Sequence, residues 1–409
     1  MNKIEKYARL AIEKGMNIQK GQNLLIRASV DNVDFARLLS KVAWKNGVRG
    51  VMVQWNDEKL SRERFLYGDI DIFGQENIWS KEYINKIIDE DYQILTVISN
   101  NPENLKGVSP EKMTKETKTL GGIYKPIVDK MTSNAIQWSV VAVPSPEWAI
   151  KVFPDSNSPE EAVETMWEAI FAANLIDEGD PVENWNAHLK TLSERTKKLQ
   201  SYNLKSLTFK NSLGTDIEIG LIKEHIWTGV TKTSKTTGNS FIANIPTYEV
   251  FTAPHRTEVN GIVHATKPLV YMGNIIDKFW IRFEKGCAVE YKAEIGQEFL
   301  EKLITIHPNS NFLGEVALVP YSSPISKSGI LWYKTLYDEN ASCHIALGNG
   351  YSYTMSGSDG LSEEEKMAKG LNQSLAHTDF MIGSKCLSIT GEAEDGSTIQ
   401  IFENGEFVI

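Results

Sequence analysis

GQNLLIRAS (residues 21–29), DNVDFARLLSKVAWKNG (31–47) and VRGVMVQW (48–55) decide the fold of the first half of this chain. The first and third segments are short apolar runs bounded by glycine and charged residues, and they read as buried strands. The segment between them has the helical period, with Asp31 or Asn32 available to cap its start and Gly47 to end it. Strand, helix and strand within about 35 residues make a βαβ unit, which implies parallel pairing.

The same grammar extends outward. Residues 3–15 place Ile4, Tyr7, Ala8, Ala11 and Ile12 on one helical face. DYQILTVIS (91–99) and WSVVAVP (138–144) read as further central strands, and PEEAVETMWEAIFAANLI (159–176) and VENWNAHLKTLSERTKKLQ (182–200) as helices. Residues 1–200 are therefore expected to form an α/β domain around a mostly parallel open sheet. It carries neither G-x-G-x-x-G nor a P-loop, so it reads as a scaffold or substrate-covering domain rather than a nucleotide site.

Near residue 200 the pattern changes. SLTFKNSLGTDIEIGLI (206–222) reads as a hairpin, and VYMGNIIDKFWIRFEKGCAVEYKAEIG (270–296) as two or three antiparallel strands turning at Glu-Lys-Gly. QEFLEKLITIH (297–307) reads as a short helix, and the C-terminal CLSITGEAEDGSTIQIFENGEFVI as hairpins turning at Asp395-Gly396 and Asn404-Gly405. Residues 201–409 are expected to form an α+β domain rich in antiparallel strands. A length of 409 residues suits two such domains.

The formal charge is −10, with acids spread along the chain. Nucleic-acid binding needs a concentrated basic face, so no nucleic-acid partner is expected; metal ions and peptide ammonium groups fit better. Cys287, Cys343 and Cys386 form no C-x-x-C pair and no zinc-ribbon spacing, and they read as free thiols in a reducing cytoplasm. The amphipathic N-terminus lacks a signal-peptide core, and no run of about 18 apolar residues predicts a membrane span.

Of the seven histidines, two stand near carboxylates in apolar surroundings. In NQSLAHTDFMIG (372–383), His377 and Asp379 are two apart, so a strand turns both to one face. In LGEVALVPYSSPISKSGILWYKTLYDENASCHIALG (313–348), Glu315 lies inside an apolar run, where an ionised carboxylate is costly unless paired or metal-bound. Glu339 and His344 follow in the same segment. In NIPTYEVFTAP (244–254), Glu249 stands between Tyr248 and Val250. Each segment alone also fits a plainer role: a solvated strand face, a satisfied core histidine, or a strand-end acid bonded to backbone N–H groups.

Together they supply four carboxylates and two imidazoles. Hard oxygens outnumber nitrogens, which suits a pair of Zn²⁺ or Co²⁺ ions, with Mn²⁺ or Mg²⁺ as alternatives. Such a pair polarises a carbonyl, activates water and anchors a substrate amine. Cys343 and His344 are sequence neighbours and do not face each other, which argues against a Cys/His nucleophile. Ser322, Ser323, Ser326 and Ser328 lie in no G-x-S-x-G elbow.

NIPTYEVFTAP, LGEVALVPYSSPISKSG, LYDENASCHIALG and NQSLAHTDFMIGS closely resemble, in order, motifs of the aminopeptidase T family. The resemblance implies a cytoplasmic, homodimeric, metal-dependent exopeptidase that removes N-terminal residues from short peptides. Its metals would lie in the C-terminal domain, and its N-terminal domain would govern access and support the dimer. It carries the metal ligands to Glu249, Glu315, Glu339, His344, His377 and Asp379, with Glu315 bridging and taking part in catalysis. It carries an active-site tyrosine to Tyr351, in GNGYSYT (348–354). The chain departs from the family where two adjacent acids are usual and Tyr248-Glu249 stands instead, and His255-Arg256 replaces an acid followed by a basic residue. Two other classes remain open: a metal-independent glycoside hydrolase built on a carboxylate pair, and a non-enzymatic metal- or peptide-binding protein. Loss of activity to a chelator separates the first, and hydrolysis of an amino-acid amide the second.

Overall fold

The apolar runs of the first half build a four-stranded, wholly parallel sheet in the order β2-β1-β3-β4. The structure, a computed structural model, describes residues 1–177, 179–229, 231–272 and 274–409. The chain begins with α1 (Lys3–Arg9), which continues as a π-helical turn through Gly15 and buries Tyr7, Ala8, Leu10, Ala11 and Ile12. Next come β1 (Asn23–Ser29), α2 (Val33–Lys45), β2 (Gly50–Asn56), α3 (Glu58–Tyr67), α4 (Ile78–Asp89), β3 (Tyr92–Ile98), α5 (Pro110–Thr132) and β4 (Trp138–Ala142). Helices α6 (Pro146–Val152), α7 (Pro159–Ala173) and α8 (Pro181–Ser201) complete the run.

Helix α2 buries Phe35, Ala36, Leu39, Val42 and Ala43, a single stripe at helical spacing. Its start differs from the sequence expectation. Neither Asp31 nor Asn32 caps it with a side chain; Asn32 instead accepts a hydrogen bond from the Ser99 hydroxyl. On one face of the sheet Leu25 and Ile94 pack against Ile84 and Ile87 of α4 and Ile123 and Ile127 of α5.

The described residues fall into two compact units, and these are interleaved in sequence. One holds Met1–Ala187 with Thr231–Pro246, the other His188–Val230 with Thr247–Ile409. Compared with one cut after residue 200, α8 carries the division inside it, and a later segment returns to the first unit. That segment forms the hairpin β7 (Thr231–Thr233) and β8 (Ser240–Ile242), after β5 (Leu204–Lys210) and β6 (Asp216–Leu221). It covers the free edge of β4: Val140 N–H donates to Ala243 at 2.8 Å and Ile245 N–H to Val140 at 3.0 Å.

The second unit holds two antiparallel sheets. Its further elements are β9 (Val250–Thr252), β10 (Pro254–His264), β11 (Leu269–Tyr271), β12 (Asn274–Glu284), β13 (Cys287–Ile295), α9 (Gln297–Thr305) and β14 (Leu313–Leu318). Then follow the short helices α10 (Pro324–Ser328) and α11 (Thr335–Asp338), β15 (His344–Gly348), α12 (Glu363–Ala368), β16 (His377–Met381), β17 (Ser388–Ala393), β18 (Thr398–Glu403) and β19 (Glu406–Phe407). The larger sheet runs β11-β12-β10-β6-β5-β17-β18-β19, with β13 also paired to β12. The smaller runs β16-β15-β14-β9. The fold is thus the expected one, a parallel α/β region followed by an antiparallel-rich α+β region. Among the described residues no helix is long and apolar enough to cross a membrane.

Candidate metal centre

Every strand of the small antiparallel sheet either carries or adjoins one of the acids or histidines singled out in the sequence. Register then decides which side chains share a face. Ala317 pairs with Phe251 on one side and His344 on the other. Ala346 pairs with Glu315 and Asp379, and Gly348 pairs with His377. Because side chains alternate along a strand, these rows all belong to one face. Glu249, two residues before Phe251, joins them.

Two backbone features make room for the cluster. A bulge between Leu313 and Glu315 puts one extra residue, Gly314, into β14 and aims Glu315 at this face. A Cβ on Gly314 would lie 2.2 Å from the Asn349 carbonyl. Gly348 has φ +105°, and a Cβ there would lie 2.1 Å from the Ala376 carbonyl. Ala317 and Ala346, between these side chains on the face, are small, so imidazoles and carboxylates fill the space above them.

The result is two groups of three ligand atoms, each group within 4.8 Å: Glu249, Glu315 and His344, and Glu315, His377 and Asp379. Glu315 belongs to both. Its Oε1 lies 3.6 Å from His344 Nε2, and its Oε2 lies 3.9 Å from His377 Nε2. His344 Nε2 is also 3.1 Å from Glu249 Oε2, and His377 Nε2 is 3.4 Å from Asp379 Oδ1.

Both histidines are held in one tautomer. The Nδ1–H of His344 donates to the Ser342 carbonyl at 3.1 Å, and that of His377 to the Asn349 carbonyl at 2.7 Å. A carbonyl only accepts, so Nδ1 carries a proton and Nε2 is the atom that faces the acids, the arrangement that metal-ligating histidines show. Glu249 Oε2 is buried and, despite its closeness to His344, lies off the line of a hydrogen bond. These are the features of a cation site, and the residues fit divalent ions.

The electrostatics agree. Burial, with Asp379 and Glu249 nearby, raises the pKa of Glu315 against the lowering effect of His344. Burial also drives Glu339 well up, and Glu249 and Asp379 add to it. Burial pulls both imidazoles down, but the acids outweigh it: His344 ends well above its ordinary value, and His377 rises to about 9. Burial raises Asp379, yet His377 more than offsets this and holds it low. Glu315, Glu339, His344 and His377 thus favour protons that a dication would displace.

Glu339 lies outside both ligand groups, in a helical turn before β15. With Asp379 it lines a cavity of about 140 Å³ whose apolar walls include Leu269, Val270 and Met381. Tyr351 packs against His377, with ring centroids 4.8 Å apart and the rings tilted by 45°. Tyr353, which sequence reasoning missed, stacks on Tyr351 at 5.3 Å, and its phenol responds to Glu315 and Glu249. The second tyrosine of GNGYSYT was the available signal. Asp338 was also missed; its carboxylate accepts from the Trp332 and Lys334 N–H groups, and burial lifts it to about 7.

One departure from the family pattern has a geometric account. Tyr248 turns away from the cluster and packs on His188, with ring centroids 4.7 Å apart. Cys343 lies on the face opposite His344; it is wholly buried against the Val319 carbonyl, and burial pushes its thiol up to about 12. The remaining histidines, His225, His255, His264 and His307, lie outside both ligand groups.

The sequence pattern of the thermophilic metalloprotease (M29) family matches residues 1–407. This chain belongs to the M29 family. The M29 chain is 40% identical to aminopeptidase AmpS of Bacillus subtilis over 405 residues, covering 99% of this chain and 98% of that protein. It is 39% identical to aminopeptidase PepS of Streptococcus thermophilus over 406 residues, 99% of this chain and 98% of that protein. The solved structure of wild-type AmpT from Thermus thermophilus superposes with TM-score 0.93 at 37% identity, covering 100% of this chain and 99% of that one. The M29 chain is accordingly a hydrolase, a metallo-aminopeptidase by family.

Proposed function

We propose that this M29 chain removes N-terminal residues from short peptides with two divalent ions that share Glu315. The observation that carries this reading is the pair of three-atom ligand groups with that carboxylate in common. Glu249, His344 and Glu315 would hold one ion, and His377, Asp379 and Glu315 the other. Glu339 would complete the shell from the cavity side. Zn²⁺ and Co²⁺ suit the donors best, with Mn²⁺ and Mg²⁺ as weaker fits. When bound, such ions polarise the scissile carbonyl, activate water and anchor the free amine.

The chain's own groups do the rest. Tyr351 donates a hydrogen bond to the oxygen that gains charge as the carbonyl is attacked. A carboxylate of the cluster takes the proton of the attacking water and passes it to the leaving amine, and Glu315 and Glu339 are the two candidates. The cavity beside Asp379, walled by Leu269, Val270 and Met381 as well as by Lys334 and Glu339, receives the side chain of the residue released. The family resemblance supports a cytoplasmic homodimer whose N-terminal domain, residues 1–200, governs access and supports the dimer.

The test is a panel of aminoacyl-p-nitroanilides, assayed on metal-free protein with each ion added back. Activity abolished by a chelator and restored by Zn²⁺ or Co²⁺ is expected. Undiminished hydrolysis in the chelated protein would end the two-ion reading.

A further inference from the structure

The first unit carries a second polar cavity, unrelated to the acids and histidines above. Register places Gln54 of β2, Arg27 of β1 and Thr96 of β3 in one row across the parallel sheet. Asn56 and Ser29 form the next row toward the carboxyl ends. This face is the one that packs Leu25 and Ile94 on α4 and α5. Beyond that apolar floor it opens into a cavity of about 350 Å³, lined among others by Arg27, Ser29, Asn56, Thr96, Ser99 and Tyr124.

The position has a topological meaning. With strand order β2-β1-β3-β4, the chain leaves β1 toward β2 on one side, and β3 lies on the other. The order therefore reverses between β1 and β3. In open parallel sheets ligands bind in the crevice outside the carboxyl ends of the strands at such a switch point. Residues from the ends of β1, β2 and β3 all line this cavity.

Arg27 is the second observation. Its side chain is largely buried, and Nε and Nη2 have no hydrogen-bond partner among the described residues. No carboxylate among those residues forms an ion pair with it; its nearest aromatic partner is the Tyr124 ring, 5.9 Å from the guanidinium carbon. Burial lowers its pKa, and the Tyr124 and Tyr83 rings only partly restore it. A buried cation without a counter-charge is costly, and proteins keep one where a ligand supplies the anion.

We propose that this crevice binds a small organic monocarboxylate, its carboxylate paired with Arg27 and its apolar body against Tyr124. A planar guanidinium matches a carboxylate bidentately. Among the described residues Arg27 is the one cationic residue in the lining, which also includes the acidic Glu58. That balance favours a single negative charge over phosphate. The volume suits a ligand of small-molecule size. Nε and Nη2 are covered by neighbouring atoms, so binding turns the guanidinium about its last torsions toward the cavity.

Titration calorimetry on the metal-loaded, full-length protein tests this with benzoate, acetate and inorganic phosphate as separate probes. Benzoate should bind at one site per chain dependent on Arg27, acetate more weakly and phosphate least. Arg27→Met should weaken benzoate at that site at least tenfold, with an unchanged or raised Tm because an unpaired buried charge is gone. Benzoate binding to the metal ions would persist in Arg27→Met and so does not mimic the result. No benzoate binding into the millimolar range overturns the proposal, as does equal binding by Arg27→Met. A lowered Tm with unchanged binding assigns Arg27 to packing on Tyr124 alone. Preference for phosphate overturns the carboxylate assignment. Should Arg27→Met fail to fold, a wild-type crystal soaked in 4-bromobenzoate decides: bromine signal in the crevice supports the proposal, and signal only elsewhere refutes it.

Discussion

Replacing Glu315 by glutamine should empty both ion positions, whereas Glu249→Gln or Asp379→Asn should empty one. The difference follows from the shared carboxylate, whose two oxygens face the two histidines at 3.6 and 3.9 Å. Two unit charges about 4 Å apart at an effective dielectric near 20 attract by about 4 kcal/mol, so one carboxylate charge beside a dication contributes up to about 8 kcal/mol. The buried carboxylate's own desolvation, several kcal/mol, is removed with it. A net loss of roughly 3–5 kcal/mol per ion remains, which weakens each by about 10²–10⁴-fold. Metal content after dialysis, read by mass spectrometry, measures this directly, and turnover should fall with it. The metal-free variant should melt no lower than metal-free wild type at neutral pH, because one of the crowded acids has lost its charge. Glu315→Gln protein that keeps both ions at wild-type affinity, or loses just one, would refute the shared-ligand argument.

Three further outcomes are expected. Metal-free protein should lose stability as pH rises: His377 is raised from 6.5 to about 9, so its contribution of about 3 kcal/mol is complete below 6.5 and gone above about 9. The raised Glu315 acts in the same direction above its unfolded value, since the fold favours its protonated form; a metal-free Tm that climbs between pH 6.5 and about 9 would contradict the His377 argument, and reloaded metal should flatten the curve. Gly348→Ala should cost at least about 2 kcal/mol in urea unfolding, since φ is +105° and the new Cβ would meet the Ala376 carbonyl at 2.1 Å. Tyr351→Phe should lower kcat about a hundredfold with metal content unchanged; an equal loss of metal would instead make Tyr351 a support for His377.

The sequence shows the fold wherever apolar pattern and local geometry agree. β1, α2 and β2 are legible because two buried runs bracket one helical stripe. Helices α3, α4 and α5 are not: α5 contains Gly121, Gly122 and Pro126, residues that locally argue against a helix and that tertiary packing of Ile123 and Ile127 overrides. In the site, the shared face of His377 and Asp379 follows from alternation alone. The placing of β14 between β9 and β15 does not, because it pairs residues some 65 positions apart, such as Val250 with Leu318. The bulge at Gly314 that aims Glu315, and the carbonyls of Ser342 and Asn349 that fix the imidazoles, leave no mark in composition. The return of Thr231–Pro246 to the first unit is likewise a long-range pairing, made by backbone groups of Val140.

Alternation along a strand means that register alone decides which side chains of the small antiparallel sheet share the face of Ala317, Ala346 and Gly348. A shift of one residue between β15 and β16 would swing His377 and Asp379 to the far side and bring Thr378 and Phe380 to the face of Glu315. Divalent ions bound as proposed would favour the aligned register, since a misaligned sheet offers them no ligand set. Newly made protein starved of metal should accordingly show its first defect as heterogeneous pairing in this sheet, while the parallel sheet of the other unit, which owes nothing to ions, forms as usual.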